Sequence, residues 1–167
     1  MAFILHWVDH CSGIEEVTRL SLSVGTLLIT RQEGVISKMD WDVNAPAANA
    51  NAPSALEWLD PHATITLRLL KQGSAYRQQV WAELCQIPYG TTLTYAALAK
   101  KINSAARAVG NACRDNPYPL LIPCHRVVSA TGMGGYCGQT AGDFMTIKTK
   151  LLALEAAQSS GIDLHSL

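Results

Sequence analysis

The hydrophobic pattern of this chain changes period at Gly73. Before that point Leu20, Leu22 and Val24 alternate with Arg19, Ser21 and Ser23, the period-two signature of a strand with one buried face. Gly25 and Gly34 punctuate two further apolar runs, Leu27-Leu28-Ile29 and Val35-Ile36, and the stretch from Thr64 to Leu70 reads as another strand. After Gly73 the spacing turns helical. Ser74 suits an N-cap, and Tyr76, Val80, Trp81 and Leu84 fall on one helical face before Pro88-Tyr89-Gly90 ends the unit. A second helix is expected from near Thr94, with Tyr95, Leu98, Ala99 and Ile102 at i, i+3, i+4 and i+7. Asn103 and Ser104 are read as breaking and recapping the chain ahead of a third helix from about Ala105 to Asp115. A last helix is expected from roughly Ile147 to Gln158, with Ile147, Leu151 and Leu154 on one face.

These patterns predict a mixed α/β chain of the α+β kind: a β-rich domain over residues 1–73, then a helical domain over residues 74–167. Between the strands, Asn44 to Pro53 (NAPAANANAP) is uncharged and low in complexity and reads as a loop or insertion, with a short helix following at Ser54 to Leu59.

Composition narrows the class. Of 167 residues, 49% are hydrophobic and 16% charged, which supports a packed core and argues against wholesale disorder. No apolar run reaches the roughly 18 residues needed to span a bilayer. The opening MAFILHWVDH lacks a basic segment and a small-residue cleavage site, so no signal peptide is expected. Five cysteines (Cys11, Cys85, Cys113, Cys124 and Cys137) form no CxxC pair, which points to free thiols in a reducing, cytoplasmic compartment. The histidines show no metal-ligand spacing, so neither a metal site nor any other cofactor is expected.

The net charge of zero conceals an asymmetry. Residues 1–86 carry six basic and nine acidic side chains, a net of −3, whereas residues 87–167 carry seven basic and four acidic ones, a net of +3. Within the positive half, the two short helices around residues 94–115 suggest a helix-turn-helix. Ala105, Val109 and Ala112 are expected to pack inward, while Arg107, Asn111 and Arg114 form a second stripe suited to phosphates and base edges.

The sharpest local signal is Leu120-Leu121-Ile122-Pro123-Cys124-His125-Arg126-Val127-Val128, an apolar run interrupted by a thiol, an imidazole and a guanidinium. A cysteine becomes a strong nucleophile as a thiolate, which requires a base and a group that orients the base. Adjacent residues of a strand point to opposite faces, so Cys124 and His125 act together only if the backbone turns there or a water bridges them. Asn116, in Asp115-Asn116-Pro117, is a candidate to pin such a turn. On these residues alone, a buried structural cysteine beside a core histidine and a cysteine hydrolase both remain open.

Taken in order, Val80-Trp81, Ile87-Pro88-Tyr89-Gly90, Thr94-Tyr95-x-x-Leu98-Ala99, Ala105-Ala106-Arg107-Ala108-Val109-Gly110, Asn116-Pro117 and Ile122-Pro123-Cys124-His125-Arg126-Val127-Val128 resemble the O6-alkylguanine-DNA alkyltransferase family. The matching segments span residues 74–155, about half the chain; the preceding part resembles only a divergent, ribonuclease H-like N-terminal domain. The resemblance implies a winged-helix-like domain that flips O6-alkylguanine out of duplex DNA and transfers the alkyl group once, irreversibly, to its own cysteine. It implies Cys124 as acceptor, His125 as base through a water, Glu155 as the carboxylate orienting the histidine, and Asn116 as brace. By the same resemblance Arg107 fills the gap left by the flipped base, and Thr94, Tyr95, Ala105, Ala106, Arg114 and Ser129 meet DNA. Tyr95, Cys113, Val127, Tyr136 and Cys137 are then expected to form the base pocket. The implied partner is double-stranded DNA bearing O6-alkylguanine, with O4-alkylthymine also admitted, acted on by a monomer. The chain departs from the family pattern at Cys137, Gln139 and Leu154, and in a longer segment between Gly138 and Lys148. These departures bear on pocket width and adduct preference.

Overall fold

The computed structural model describes residues 2–45 and 56–160, which fall into two compact units, Met1–Gln72 and Gly73–Leu167. The loop expected at Asn44 to Pro53 and the first part of the short helix expected after it lie largely outside the described residues; of that helix, residues 56–57 are helical and 58–59 form a turn.

The first unit is a five-stranded sheet. Its strands are β1 (Ala2–Val8), β2 (Glu15–Leu22), β3 (Gly25–Gln32), β4 (Val35–Trp41) and β5 (Thr64–Leu70), in the spatial order β1-β5-β4-β3-β2. Strands β2, β3 and β4 form an antiparallel meander through two-residue connections at Ser23-Val24 and Glu33-Gly34. The expected strand through Leu20 and Leu22 therefore stops at Leu22. Val24 lies in the turn, although it is 5% exposed and belongs to the core. Val35 and Ile36 are adjacent yet both buried, because the β3–β4 register shifts next to them: Arg31 pairs with Ile36 and Thr30 with Lys38, leaving Ser37 over as a bulge. Strand β5 runs parallel to both β1 and β4. The sequence pattern does not reveal β1. It is an edge strand, and Ile4, His6 and Trp7 are exposed, so alternation is blurred.

The second unit carries the helices. In α1 (Ala75–Leu84), Ser74 caps the N-terminus by accepting from the Arg77 amide, and Val80, Trp81 and Leu84 are buried. A residue with a side chain at Gly73 (φ +84) would place its Cβ 2.7 Å from the Trp81 ring, so the point where the hydrophobic period changes is also one that requires glycine. Next come β6 (Leu93–Thr94), α2 (Tyr95–Lys101) and α3 (Ala106–Arg114). Thr94 caps α2 by accepting from the Ala97 amide. The α2–α3 pair is the expected helix-turn-helix, and α3 also packs on α1, where Trp81 Nε1 donates to the Ala112 carbonyl at 2.8 Å.

Two expectations about α3 need correction. Ser104 does not cap it: the N-cap is Ala105, without a side-chain bond, and the Ser104 hydroxyl pairs with the Tyr76 hydroxyl at 2.7 Å instead. Ala105 does not pack inward, because it precedes the first helical turn and is exposed; Cys113 joins Val109 and Ala112 on the buried face. Arg107, Asn111 and Arg114 are all exposed, as their stripe requires.

A 3-10 turn at Cys124–Arg126 leads into β7 (Val127–Val128), which pairs in parallel with β6. The last helix, α4 (Asp143–Ser159), starts four residues earlier than its spacing suggests. Its buried stripe is Ile147, Lys148, Leu151 and Glu155, whereas Leu154 is only half-buried. Two charged residues sit where an apolar stripe would be read, and the site explains both.

Candidate active site

The chain turns sharply at Pro123-Cys124, so Cys124, His125 and Arg126 leave one 3-10 turn in different directions. Asn116 ties this turn down with three bonds. Its Nδ2 donates to the Ile122 carbonyl at 2.8 Å and to Cys124 Sγ at 3.2 Å, and its Oδ1 accepts from the Tyr118 amide at 2.9 Å. The Cys124 amide donates to the Ile122 carbonyl at 2.8 Å, closing the turn from inside. Cys124 is 4% exposed and His125 is fully buried.

Behind the thiol lies a buried charge network. His125 Nε2 is 2.7 Å from Glu155 Oε1. Arg126 forks onto the same carboxylate, Nε to Oε2 at 2.9 Å and an Nη to Oε1 at 3.0 Å, while its other Nη donates to the Ile87 carbonyl at 2.8 Å. The guanidinium also stacks over Tyr89, 5.3 Å from the ring centre. Burial alone would raise the Glu155 carboxyl, but the bonds and charges of His125 and Arg126 outweigh it and hold the group at about 2.

Burial acts on the thiol and the imidazole in opposite directions. It pushes the Cys124 thiol up, partly offset by the Asn116 bond and the Lys148 charge, and it pulls His125 down, against the pull of Glu155. Both groups are therefore neutral at rest near pH 7. A neutral imidazole beside an ionised carboxylate donates from Nε2, which leaves Nδ1 with a lone pair. That Nδ1 is buried and has no hydrogen-bond partner among the described residues. An unpaired buried acceptor on the residue that follows a thiol has the lone pair that a general base needs.

Cys124 opens onto a cleft of about 550 Å³, within the range that holds a small ligand or a single base. One wall is α3, through Ala106, Arg107, Gly110, Cys113 and Arg114; another is the start of α2, through Thr94 and Tyr95. The third is the segment from Gly135 to Thr140, where Tyr136 and Gln139 exchange backbone bonds across a tight turn whose central residues, Cys137 and Gly138, are left-handed (φ 48° and 80°).

Lys148 holds this third wall in place. The side chain is fully buried and spends its three donors on the carbonyls of Val127 (2.6 Å), Met133 (2.7 Å) and Gly135 (2.9 Å). The Gly135 carbonyl also accepts from the Tyr95 hydroxyl at 3.3 Å. Gly134 (φ +69) packs so tightly that a Cβ there would lie 2.8 Å from the Tyr95 ring and 3.2 Å from the Ser129 amide. Gly134→Ala is accordingly expected to displace Tyr95 and to cost about 1–3 kcal/mol, read as a lowered Tm.

The structure brings most of the expected residues together. Cys124, Thr94, Tyr95, Ala106, Arg107, Arg114, Ser129, Cys113, Tyr136 and Cys137 line the cleft, and Asn116, His125 and Glu155 stand behind it. Two expected residues do not line it. Val127 is fully buried in β7 and contributes only its carbonyl, to Lys148; Ala105 is exposed at the N-cap. The Ser129 hydroxyl is engaged within its own turn, donating to the Gly132 carbonyl at 2.9 Å. Sequence reasoning left Arg126 without a role and passed over Lys148. The spacing of Lys148, Leu151 and Glu155 at i, i+3 and i+7 puts two charges on an apolar stripe, and that was the available signal.

The chain is similar to several known proteins. Residues 75–157 match the family model described as 6-O-methylguanine DNA methyltransferase, DNA binding domain. Among curated relatives, a methylated-DNA--protein-cysteine methyltransferase of Archaeoglobus fulgidus is 41% identical over 85 residues, covering 50% of this chain and 58% of that one. A protein of the same name from Methanosarcina mazei is 43% identical over 94 residues, covering 55% and 57%. The chain thus spans about half the length of the curated relatives it matches. Among solved structures, an O6-methylguanine methyltransferase of Mycobacterium tuberculosis aligns with a TM-score of 0.64 and 26% identity over 86% of this chain and 94% of that one. A structure of the M. tuberculosis protein in complex with DNA aligns with a TM-score of 0.67 and 27% identity, over 85% and 93%.

Proposed function

We propose, from the match of residues 75–157 to the model of the 6-O-methylguanine DNA methyltransferase DNA-binding domain, that this protein repairs DNA by moving the alkyl group of O6-alkylguanine onto Cys124. The observation that carries the reading is the Cys124 thiol opening on the cleft, with an unpaired buried imidazole nitrogen on the next residue.

The reaction is a displacement at the alkyl carbon. The thiol proton passes through a water to His125 Nδ1, and the imidazolium that forms is stabilised by ionised Glu155. Sulfur bonds to the alkyl carbon as its bond to O6 breaks, and the electron pair leaves with guanine. The proton taken from the thiol ends on the guanine ring, which departs as the ordinary lactam. Tyr95, whose hydroxyl burial pushes up to about 12, stays protonated, and its O–H turns from the Gly135 carbonyl to donate a hydrogen bond to the leaving base. The thioether product resists hydrolysis, so each chain acts once, as a monomer and without a cofactor.

The target carbon is inaccessible in a stacked duplex, so the base is flipped into the cleft, at a few kcal/mol. Arg107, exposed on α3 at the rim, occupies the vacated stack. The α3 N-terminus presents amides that no side chain caps, and with Arg114 these grip phosphates without reading sequence. Lesion recognition needs position on the backbone more than base identity.

Duplex DNA carrying labelled O6-methylguanine tests the reading. Label is expected to reach the protein at one equivalent per chain and then stop. Continued turnover, or tight binding without transfer, contradicts it. Arg107→Ala is expected to slow transfer from duplex several-fold more than transfer from the free base O6-benzylguanine, read as two single-turnover rate constants. Equal losses on both substrates would remove Arg107 from the flipping step.

A further inference from the structure

Arg126 stands outside the roles assigned so far, yet its guanidinium makes three hydrogen bonds and a ring contact. All its contacts converge on one purpose. The Glu155 carboxylate has roughly four lone-pair sites, and four donors reach it: His125 Nε2 and one Arg126 Nη on Oε1, and Arg126 Nε with the Gly90 amide (3.4 Å) on Oε2. Both Arg126 donors come from one rigid planar group, so the fork fixes the carboxylate plane as well as its charge. The guanidinium is itself held by the Ile87 carbonyl and the Tyr89 ring. Arg126 directly follows His125 in the same 3-10 turn, so base and fork are presented to Glu155 together.

We propose that Arg126 is a positioning residue for the transfer reaction: its fork holds Glu155 as an oriented anion, so that His125 keeps its proton on Nε2 and Nδ1 remains the free lone pair. This inference rests on the proposed function and deepens it. A protonated or rotated Glu155 would no longer require Nε2 to be the donor. The imidazole would then adopt either tautomer, and part of its population would present N–H where a lone pair is needed. A lysine supplies the same charge from a single point and cannot hold the carboxylate plane.

The titratable and charged groups around this cluster are few. Cys124 shares the turn, Lys148 faces it from α4, Cys85 senses the Arg126 charge from the end of α1, and Tyr89 lies under the guanidinium. None of them offers a second fork to Glu155.

The test compares single-turnover methyl transfer from O6-methylguanine duplex in wild type, Arg126→Lys and Arg126→Met across pH, with duplex affinity measured on each. Both variants are expected to lose about tenfold to a hundredfold in rate, the range for outer partners that orient a functional histidine. Duplex affinity should hold, and the acid limb of the rate profile should move to higher pH. Guanidinium ion at sub-denaturing concentration is expected to restore part of the Arg126→Met rate. A wild-type rate and profile in Arg126→Lys would overturn the proposal. An absence of transfer in wild type would instead sink the proposed function. Should the variants fail to fold, nitrogen-15 NMR of the wild-type imidazoles decides: a resting His125 protonated on Nε2 supports the proposal, and one protonated on Nδ1 overturns it.

Discussion

Cys124→Ala is expected to reduce methyl transfer from DNA to background while duplex binding persists. The four other cysteines do not replace the lost thiol. Burial pushes the Cys113 thiol far up, and none of the exposed Cys85 and the half-buried Cys11 and Cys137 adjoins an unpaired buried imidazole nitrogen. The fold should survive the change, because Asn116 Nδ2 loses its bond to sulfur but keeps the one to the Ile122 carbonyl. Cys124→Ser is expected to fare no better: a hydroxyl is far harder to deprotonate, and His125 is not a strong enough base to do it at this buried site. Transfer assays and duplex binding measured side by side check both variants. Undiminished transfer in Cys124→Ala would move the chemistry elsewhere.

The second large effect falls on stability. Glu155→Ala leaves the Arg126 guanidinium buried without its anion and frees His125 Nε2, and breaking such a pair typically costs about 3–5 kcal/mol. Against a total stability of roughly 5–15 kcal/mol for a domain, that is enough to lower the Tm by many degrees. The pH dependence follows from the direction of the Glu155 shift. Its folded-state value, about 2, lies below the ordinary carboxylate value of 4.5. The stabilisation is therefore complete above the ordinary value and is lost as the pH falls toward the folded one. Wild type and Glu155→Ala should thus differ most near neutrality and converge as the solution is acidified toward pH 2. A constant gap in unfolding free energy across that window would mean the carboxylate is not held by its neighbours.

Much of the second unit was legible because its signals are local. The cap at Ser74, the helix start near Thr94 and the stripe of Arg107, Asn111 and Arg114 follow from spacing and residue type, and Cys124 stood out as a thiol in an apolar run. What escaped depends on distant partners. Ser104 reads as a cap, but the Tyr76 hydroxyl claims it from 28 residues away. Lys148 interrupts an apolar stripe, and only the fold reveals that three carbonyls await it; Glu155 was expected beside His125 through the family resemblance, and the fold adds the Arg126 fork on the same carboxylate. Strand β1 escaped for a different reason: an edge strand with Ile4 and Trp7 exposed carries no clean alternation. Every residue lining the cleft lies in the half with net charge +3, residues 87–167.

The central claim is that Cys124 is the alkyl acceptor. Mass spectrometry of the protein after incubation with excess O6-methylguanine duplex tests it most directly. One added methyl group per chain is expected, mapped by fragmentation to Cys124, and no second addition however long the incubation. A methyl group on any other residue, or an unmodified protein beside repaired DNA, would contradict it.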